Sequence, residues 1–364
     1  MIDFDALRRW PDVEAPELRA WDAADTLILD EAAPLLAGSA PTIIGDAYGA
    51  LTLGALDRGA ARVRTHTDSL AGELALAANG TGPYSVLPLD RELVAGAELV
   101  LLRLPRSLDE LEEIAALIAA HASPDVVVVA GGRLKHMTVS MNEVLLRHFE
   151  RLDVTHARQK SRVLVARQPR PGALVEPRRQ YHDDLGLWVV ATGGVFAGTS
   201  IDIGTRALLE VIDGAPGYES AVDLGCGTGI LAAYLARRAP GASVLASDRS
   251  AAAVASARLT MEANGLDVRV TRDEALANEA VGSADLVVLN PPFHSGAAVH
   301  PGVSTALFEG AARVLRPGGE LWAVWNSHLA YRPALERIVG PTRQVARTAK
   351  FTVTASTRRP TGAA

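Results

Sequence analysis

The sequence predicts two tandem α/β domains, each a doubly wound, mostly parallel sheet, with the chemistry confined to the second. Three observations carry this expectation. Short apolar runs alternate with amphipathic stretches from Pro41 onward, a glycine-rich strand-to-helix junction lies at Asp223–Gly229, and the first half repeats the layout of the second without its polar motifs. Strands separated by helices imply a parallel sheet with helices on its faces. A chain of 364 residues accommodates two domains of ordinary size.

In the first half the strand candidates are Thr42-Ile43-Ile44-Gly45, Arg62-Val63-Arg64-Thr65, Glu98-Leu99-Val100-Leu101-Leu102 and Asp125-Val126-Val127-Val128-Val129. Between them, Ser107 to Ile118 places its apolar residues on one helical face, and Ser107 followed by Glu110 has the spacing of a capping box. Where a ligand-binding loop belongs, this half has Gly45-Asp46-Ala47-Tyr48-Gly49. At the end of its fourth strand it has Leu102-Arg103-Leu104-Pro105-Arg106, with no Asn carboxamide. It therefore reads as a degenerate copy. The prolines of Gln168-Pro169-Arg170-Pro171-Gly172-Ala173 disfavour regular structure. The expected division is a first domain over 1–168, a linker over 169–178 and a second domain over 179–364.

The second half opens its sheet with Ala221-Val222-Asp223-Leu224, followed by Gly225-Cys226-Gly227-Thr228-Gly229 and a helix-forming stretch. Gly225 and Gly227 permit a tight turn and close approach of backbone to a ligand, while Gly229 lets the helix pack on the sheet. The spacing alone suits either a dinucleotide or S-adenosylmethionine. Asp248 ends the next apolar run, near the ~20-residue interval at which a carboxylate meets ribose hydroxyls. Val268 to Asp273 predicts a third strand with an acid at its tip, where an adenine amino group would be read.

The fourth strand, Asp285-Leu286-Val287-Val288-Leu289, runs into Asn290-Pro291-Pro292-Phe293. This tetrapeptide suits methylation of a planar NH2. Such an amine has its lone pair delocalised into its ring, so both N–H bonds must be held while an electrophilic methyl approaches the face. The Asn290 side-chain oxygen and the Pro291 carbonyl, fixed by proline's locked φ, supply two acceptors, and Phe293 supplies a stacking surface.

Glycine loop, ribose acid, adenine acid and NPPF, in that order, resemble the class I S-adenosylmethionine-dependent methyltransferases. More narrowly, the chain resembles the ribosomal RNA guanine-N2 methyltransferases RsmC and RlmG. Gly194-Val195-Phe196 with Ile201-Asp202-Ile203-Gly204 is similar to a segment that closes over cofactor and base in that family. Asn290 to His294 matches its NPPFH, Leu315 to Leu321 its later turn and strand, and Lys350-Phe351-Thr352-Val353 its basic-aromatic strand. The match is strong over about Gly193 to Thr354, with a local echo at Gln159-Lys160-Ser161-Arg162.

This resemblance implies two Rossmann-like domains, S-adenosylmethionine as cofactor, no metal, and a guanine of ribosomal RNA as methyl acceptor. It places Asn290, Pro291, Pro292 and Phe293 in catalysis. Asp202, Asp223, Gly225, Gly227, Gly229, Asp248 and Asp273 fall at the cofactor, and Phe196, His294, Lys350 and Phe351 at the substrate. The first half is then a scaffold that positions RNA. Competing readings are a glutamine-N5 protein methyltransferase, an adenine-N6 enzyme, and a non-catalytic RNA-binding assembly factor.

Composition sets further bounds. A hydrophobic content of 48% supports substantial cores, and no apolar run approaches the ~18 residues of a membrane span. The acidic start, Met1 to Asp5, has no secretory n-region, so a cytoplasmic protein is expected, and a monomer. The single cysteine, Cys226, excludes an intramolecular disulfide and a multi-cysteine zinc site; between two glycines its expected role is packing. A net charge of −6 and a pI of 5.9 are not those of a typical nucleic-acid binder. Local basic sets offset this, at Arg151, Arg158, Lys160, Arg162, Arg167, Arg170, Arg178 and Arg179, and at Arg343, Arg347, Lys350, Arg358 and Arg359. No HExxH motif or nucleophile elbow is present.

Overall fold

The computed structural model describes residues 2–291 and 301–360, and the chain divides into two units, Met1–Glu176 and Pro177–Ala364. Unit 1 carries strands β1 (Thr42–Ile44), β2 (Val63–His66), β3 (Tyr84–Val86), β4 (Leu99–Arg103), β5 (Val127–Arg133), β6 (Phe149–Val154) and β7 (Ser161–Pro169). Its helices are α1 (Ala23–Leu36), α2 (Ala50–Asp57), α3 (Leu70–Asn79), α4 (Arg91–Val94), α5 (Leu108–His121) and α6 (Val139–His148). Ser107 caps α5 as its spacing predicts, its hydroxyl accepting from the Glu110 amide at 3.3 Å.

Unit 2 begins with a two-stranded ribbon, β8 (Arg178–His182) and β9 (Leu187–Ala191). Its sheet holds β10 (Ser220–Leu224), β11 (Ser243–Asp248), β12 (Arg269–Arg272), β13 (Ala284–Leu289), β14 (Leu315–Asn326), β15 (Thr342–Arg347) and β16 (Phe351–Thr357). The helices are α7 (Ile203–Leu209), α8 (Ile230–Arg238), α9 (Ala251–Asn264), α10 (Pro301–Val314) and α11 (Arg332–Ile338).

The two seven-stranded sheets have one topology. Unit 1 runs β3-β2-β1-β4-β5-β7-β6 and unit 2 runs β12-β11-β10-β13-β14-β16-β15. In each, five strands are parallel, β7 or β16 returns antiparallel beside them, and the edge strand β6 or β15 is antiparallel to that returning strand. Side chains of a strand alternate between faces, and here both faces are covered. Along β13, Leu286 and Val288 enter one core cluster while Val287 and Leu289 enter the other. Along β4, Val100 and Leu102 face one cluster and Leu99 and Leu101 its opposite. Strands buried on both sides must be apolar throughout, and this is why they are visible in the sequence as unbroken runs. Each such buried side chain contributes ~1.5–3 kcal/mol.

The short β3, the returning strands and the β8–β9 ribbon carry weaker signals. The free edge of β9 is covered by polar side chains of α9 in place of another strand. Thr260 Oγ1 accepts from the Val190 amide at 3.0 Å and donates to the Val190 carbonyl at 3.2 Å. Asn264 accepts from the Trp188 amide at 2.9 Å and donates to its carbonyl at 2.8 Å. This satisfies backbone groups that a bare edge would expose and anchors the segment leading to Val195 and Phe196. Regular structure reaches both ends of the predicted linker, since β7 ends at Pro169 and β8 starts at Arg178. Among the described residues, no helix is long and apolar enough to cross a membrane.

Candidate active site

The carboxyl ends of β10, β11 and β13 lie side by side, with Leu224 in register with Ser247 and with Leu289. This brings the glycine loop, Asp248 and Asn290 to one edge of the sheet, where ligands of open α/β folds collect.

After β10 the backbone turns through left-handed residues, with φ of +70° at Gly225, +53° at Gly227 and +77° at Gly229. A Cβ on Gly227 would meet no atom within 4 Å, and on Gly225 only Leu289 Cδ1 at 4.0 Å. These two glycines therefore leave an uncrowded face beside the loop. Gly229 differs: a Cβ there would sit 2.8 Å from Met261 Cε and 3.0 Å from Ala257 Cβ, which is the close approach of α8 to α9. Cys226 is buried in the same turn, and burial pushes its thiol well above its ordinary range, as a packing residue.

Asp248 holds the loop from the next strand. Its Oδ2 accepts from the Gly227 amide at 3.0 Å and its Oδ1 from the Ser250 amide at 2.9 Å. Asp273 follows β12, with its amide on the Asp248 carbonyl at 3.0 Å. Its carboxylate is engaged by Asn278, whose amide and Nδ2 each donate to it at 3.0 Å. Asp223 is 1% exposed. One oxygen accepts from the Ala232 amide at 2.9 Å, while Oδ1 has no partner among the described residues. Burial raises its carboxyl to about 7, against the pull of the Ala232 hydrogen bond.

Asn290 follows β13 directly, and its carboxamide is gripped from one side only. Nδ2 donates to Asp202 Oδ2 at 3.1 Å and to Thr205 Oγ1 at 2.9 Å. Oδ1 is buried without a partner among the described residues. Asp202 is also the N-cap of α7, its Oδ2 accepting from the Gly204 amide at 2.9 Å, so the same carboxylate oxygen caps the helix and holds the Asn290 carboxamide. Gly204 makes the approach possible: a Cβ there would lie 3.0 Å from Asp202 Oδ2 and 3.2 Å from Asn290 Oδ1. Pro291 is buried beside Asn290. Pro292, Phe293 and His294 lie outside the described residues.

The residues expected at the substrate separate. Phe196 is 73% exposed on its loop, with a ring face open to stack. Phe351 is 4% exposed, belongs to a core cluster, and would contact a Cβ on Gly204 at 3.2 Å. It backs the α7 turn from within the core, because it begins an interior strand and not a surface loop. Lys350 projects beside it, its ammonium 5.5 Å from the ring centroid. Nothing in the sequence marks Thr205 as part of the site. A threonine in the first turn of a helix gives no local sign that it touches a strand end elsewhere in the fold.

Unit 1 fills the corresponding positions with its own side chains. Ile44 pairs with Leu102 as Leu224 pairs with Leu289, so Arg103 stands where Asn290 stands. Arg103 donates from Nη1 to both Asp25 oxygens at 2.8 and 2.9 Å and from Nη2 to Asp22 at 2.8 Å. Asp46 takes the amide of Gly49, the N-cap of α2, at 3.1 Å and that of Thr52, in the first turn of the helix, at 2.8 Å. Gly49 caps α2 as Gly229 caps α8 and is crowded in the same way, but the position of Gly227 is held by Ala47, and a Cβ on Gly45 would meet the Arg103 carbonyl oxygen at 3.2 Å where one on Gly225 meets nothing nearer than 4.0 Å. Several clustered arginines are likewise neutralised, Arg151 and Arg167 by Asp153 and Arg343 by Glu320.

Comparison with known proteins gives matches over both units. Residues 186–355 match the methyltransferase small domain, and residues 3–170 match the RLMG N-terminal domain. The chain is 36% identical to the ribosomal RNA large subunit methyltransferase G of Streptomyces avermitilis, covering 96% of this chain and 95% of that protein. It is 33% identical to the protein of the same name from Pseudomonas aeruginosa, covering 95% and 96%. Among solved structures, a T. thermophilus 16S rRNA N2 methyltransferase (RsmC) in complex with AdoMet and guanosine superposes with a TM-score of 0.79. Its sequence is 25% identical, and the match covers 95% of this chain and 97% of that one.

Proposed function

Because the chain belongs to the ribosomal RNA large subunit methyltransferase G family, we propose that it methylates the exocyclic N2 amine of a guanine in large-subunit ribosomal RNA, with S-adenosylmethionine as donor. The identity of 33–36% to proteins named for the large subunit, against 25% to the small-subunit enzyme, favours the large subunit. One observation carries the acceptor chemistry: Asn290 Oδ1, at the sheet edge beside the glycine loop, is a buried acceptor with no partner among the described residues. An unmade hydrogen bond of this kind costs about 1–3 kcal/mol, and an N–H of the acceptor amine would satisfy it.

The residues present fit the donor. Gly225 and Gly227 leave an open face, Asp248 stands at the adjacent strand end for ribose hydroxyls, and Asp223 offers a buried oxygen without a partner among the described residues. Asp273, although held by Asn278, lies next to Asp248, where it would meet the adenine amino group. When bound, the donor supplies an electrophilic methyl on a sulfonium, which needs no further activation. The chain's own work is then alignment and exclusion of water. Asn290 Oδ1 would take one N–H and the Pro291 carbonyl the other, leaving the nitrogen face toward the methyl. The proton leaves after transfer, so no dedicated base is required. A base drawn from an RNA stack costs a few kcal/mol to extrude, which stacking on Phe196 and Phe293 at ~1–3 kcal/mol per base would offset.

The test is nucleoside mass spectrometry of large-subunit RNA from cells lacking the gene and from cells complemented with wild type or Asn290→Ala. N2-methylguanosine should disappear on deletion and return with wild type only. A level unchanged by deletion, or full restoration by Asn290→Ala, would sink the reading.

A further inference from the structure

We propose that Thr205 and Asp202 form a clamp that sets the orientation of the Asn290 carboxamide, with Thr205 as a positioning residue for methyl transfer. The proposal rests on the reading that Asn290 holds the acceptor amine. A carboxamide can rotate by half a turn and exchange its donor and acceptor ends at almost no change in shape. An ionised carboxylate accepts only, so Asp202 Oδ2 at 3.1 Å requires Nδ2 to face it. Thr205 Oγ1 at 2.9 Å provides a second acceptor for the same nitrogen. Two acceptors on Nδ2 fix both the flip and the rotation, and they leave Oδ1 as the end available to an amine.

The duplicated unit supplies independent support. Asp202 and Thr205 are the N-cap and the third residue of α7, the helix that precedes β10. Asp22 and Asp25 are the N-cap and third residue of α1, the helix that precedes β1. In both units these two helix positions grip a nitrogen donor on the residue next after the one that pairs with the end of the first sheet strand, Arg103 after Leu102 in one and Asn290 after Leu289 in the other. The grip is thus a property of the architecture that persists when the gripped residue changes. What distinguishes unit 2 is that the third helix position is neutral and the gripped side chain has an acceptor left over.

The experiment compares Thr205→Val, Thr205→Ala and Thr205→Ser in the full chain. Single-turnover methyl transfer to under-methylated large-subunit RNA is measured alongside cofactor affinity by calorimetry and thermal stability. With the hydroxyl gone, turnover should fall by about 10–100-fold, the scale of loss when a group that aligns the reactants is misplaced by about 1 Å. RNA KM and cofactor Kd should remain within about twofold, as expected of a residue that acts through the Asn290 carboxamide and not on either ligand. Thr205→Ser, which restores the hydroxyl, should recover most of the rate. Wild-type turnover in Thr205→Val together with an inactive Asn290→Ala would overturn the clamp and leave the acceptor reading intact. Activity in Asn290→Ala would instead remove the acceptor reading. Parallel losses of rate, cofactor affinity and stability in Thr205→Val and Thr205→Ala, unrelieved by serine, would show a merely structural role and also overturn the proposal.

Discussion

Replacing Arg103 by methionine removes the cation that holds Asp25 in unit 1. Asp25 is 1% exposed, and burial lifts its carboxyl from 3.8 to about 6 even with Arg103 pulling it down. Because the folded value is the higher one, ionisation of Asp25 opposes folding. The penalty begins as pH rises past the unfolded value and is complete above the folded one. At ~1.4 kcal/mol per unit it amounts to about 3 kcal/mol in the wild type. Without Arg103 the folded value would move further up, so the penalty would keep growing with pH beyond the point at which it levels off in the wild type. The variant should therefore lose more stability relative to wild type at about pH 8 than at about pH 6. A pH-independent loss of the guanidinium hydrogen bonds adds to this, for a total near the ~3–5 kcal/mol typical of a broken buried pair. Urea titrations of the full chain at both pH values, read by hydrogen exchange at α1 and β4, measure the difference. Equal losses at the two pH values, or none, would refute the reasoning. Adding Asp25→Asn should abolish the pH dependence.

Two further perturbations bear on the cofactor edge. Gly229→Ala places a Cβ 2.8 Å from Met261 Cε at a φ of +77°, so overpacking and left-handed strain together should destabilise unit 2 by about 2–4 kcal/mol. Gly227→Ala, with open space around its Cβ, should cost only about 1–2 kcal/mol in urea titration, and equal losses would contradict the packing role of Gly229. For Asp223, the folded carboxyl at about 7 lies above its ordinary 3.8, so its ionisation also weighs against folding as pH rises through that window. Asp223→Asn should gain thermal stability relative to wild type between about pH 5 and pH 8 in the absence of ligand; parallel pH profiles would count against an unsatisfied buried carboxylate.

What the sequence reveals is what short-range chemistry encodes. Strands β1, β4, β10 and β13 stand out because both their faces are buried, and Gly225, Gly227 and Asp248 because turn and strand-end positions restrict residue choice. Asn290 stands out because two prolines follow it. The functions of Thr205 and Asp25 depend on contacts made 85 and 78 positions away in the chain, and nothing in their neighbours records those partners. Phe351 shows the opposite failure. A basic-aromatic pair looks like a nucleic-acid contact, yet the register of β16 against β14 turns the ring into the core beneath Gly204. Asp273 likewise has the placement of an adenine reader, while Asn278, five positions on, occupies its carboxylate.

The Arg103 triad also constrains the history open to unit 1. Changing Arg103 to asparagine alone would leave the buried Asp25 without the guanidinium that pairs with it, whereas changing Asp25 to threonine alone would leave the guanidinium half paired. Each single step toward the arrangement in unit 2 crosses a less stable intermediate, and the Asp46 contacts to the loop amides would still have to be undone. An arrangement like that of unit 2 is therefore reached in unit 1 only through concerted changes at Asp25, Arg103 and Asp46.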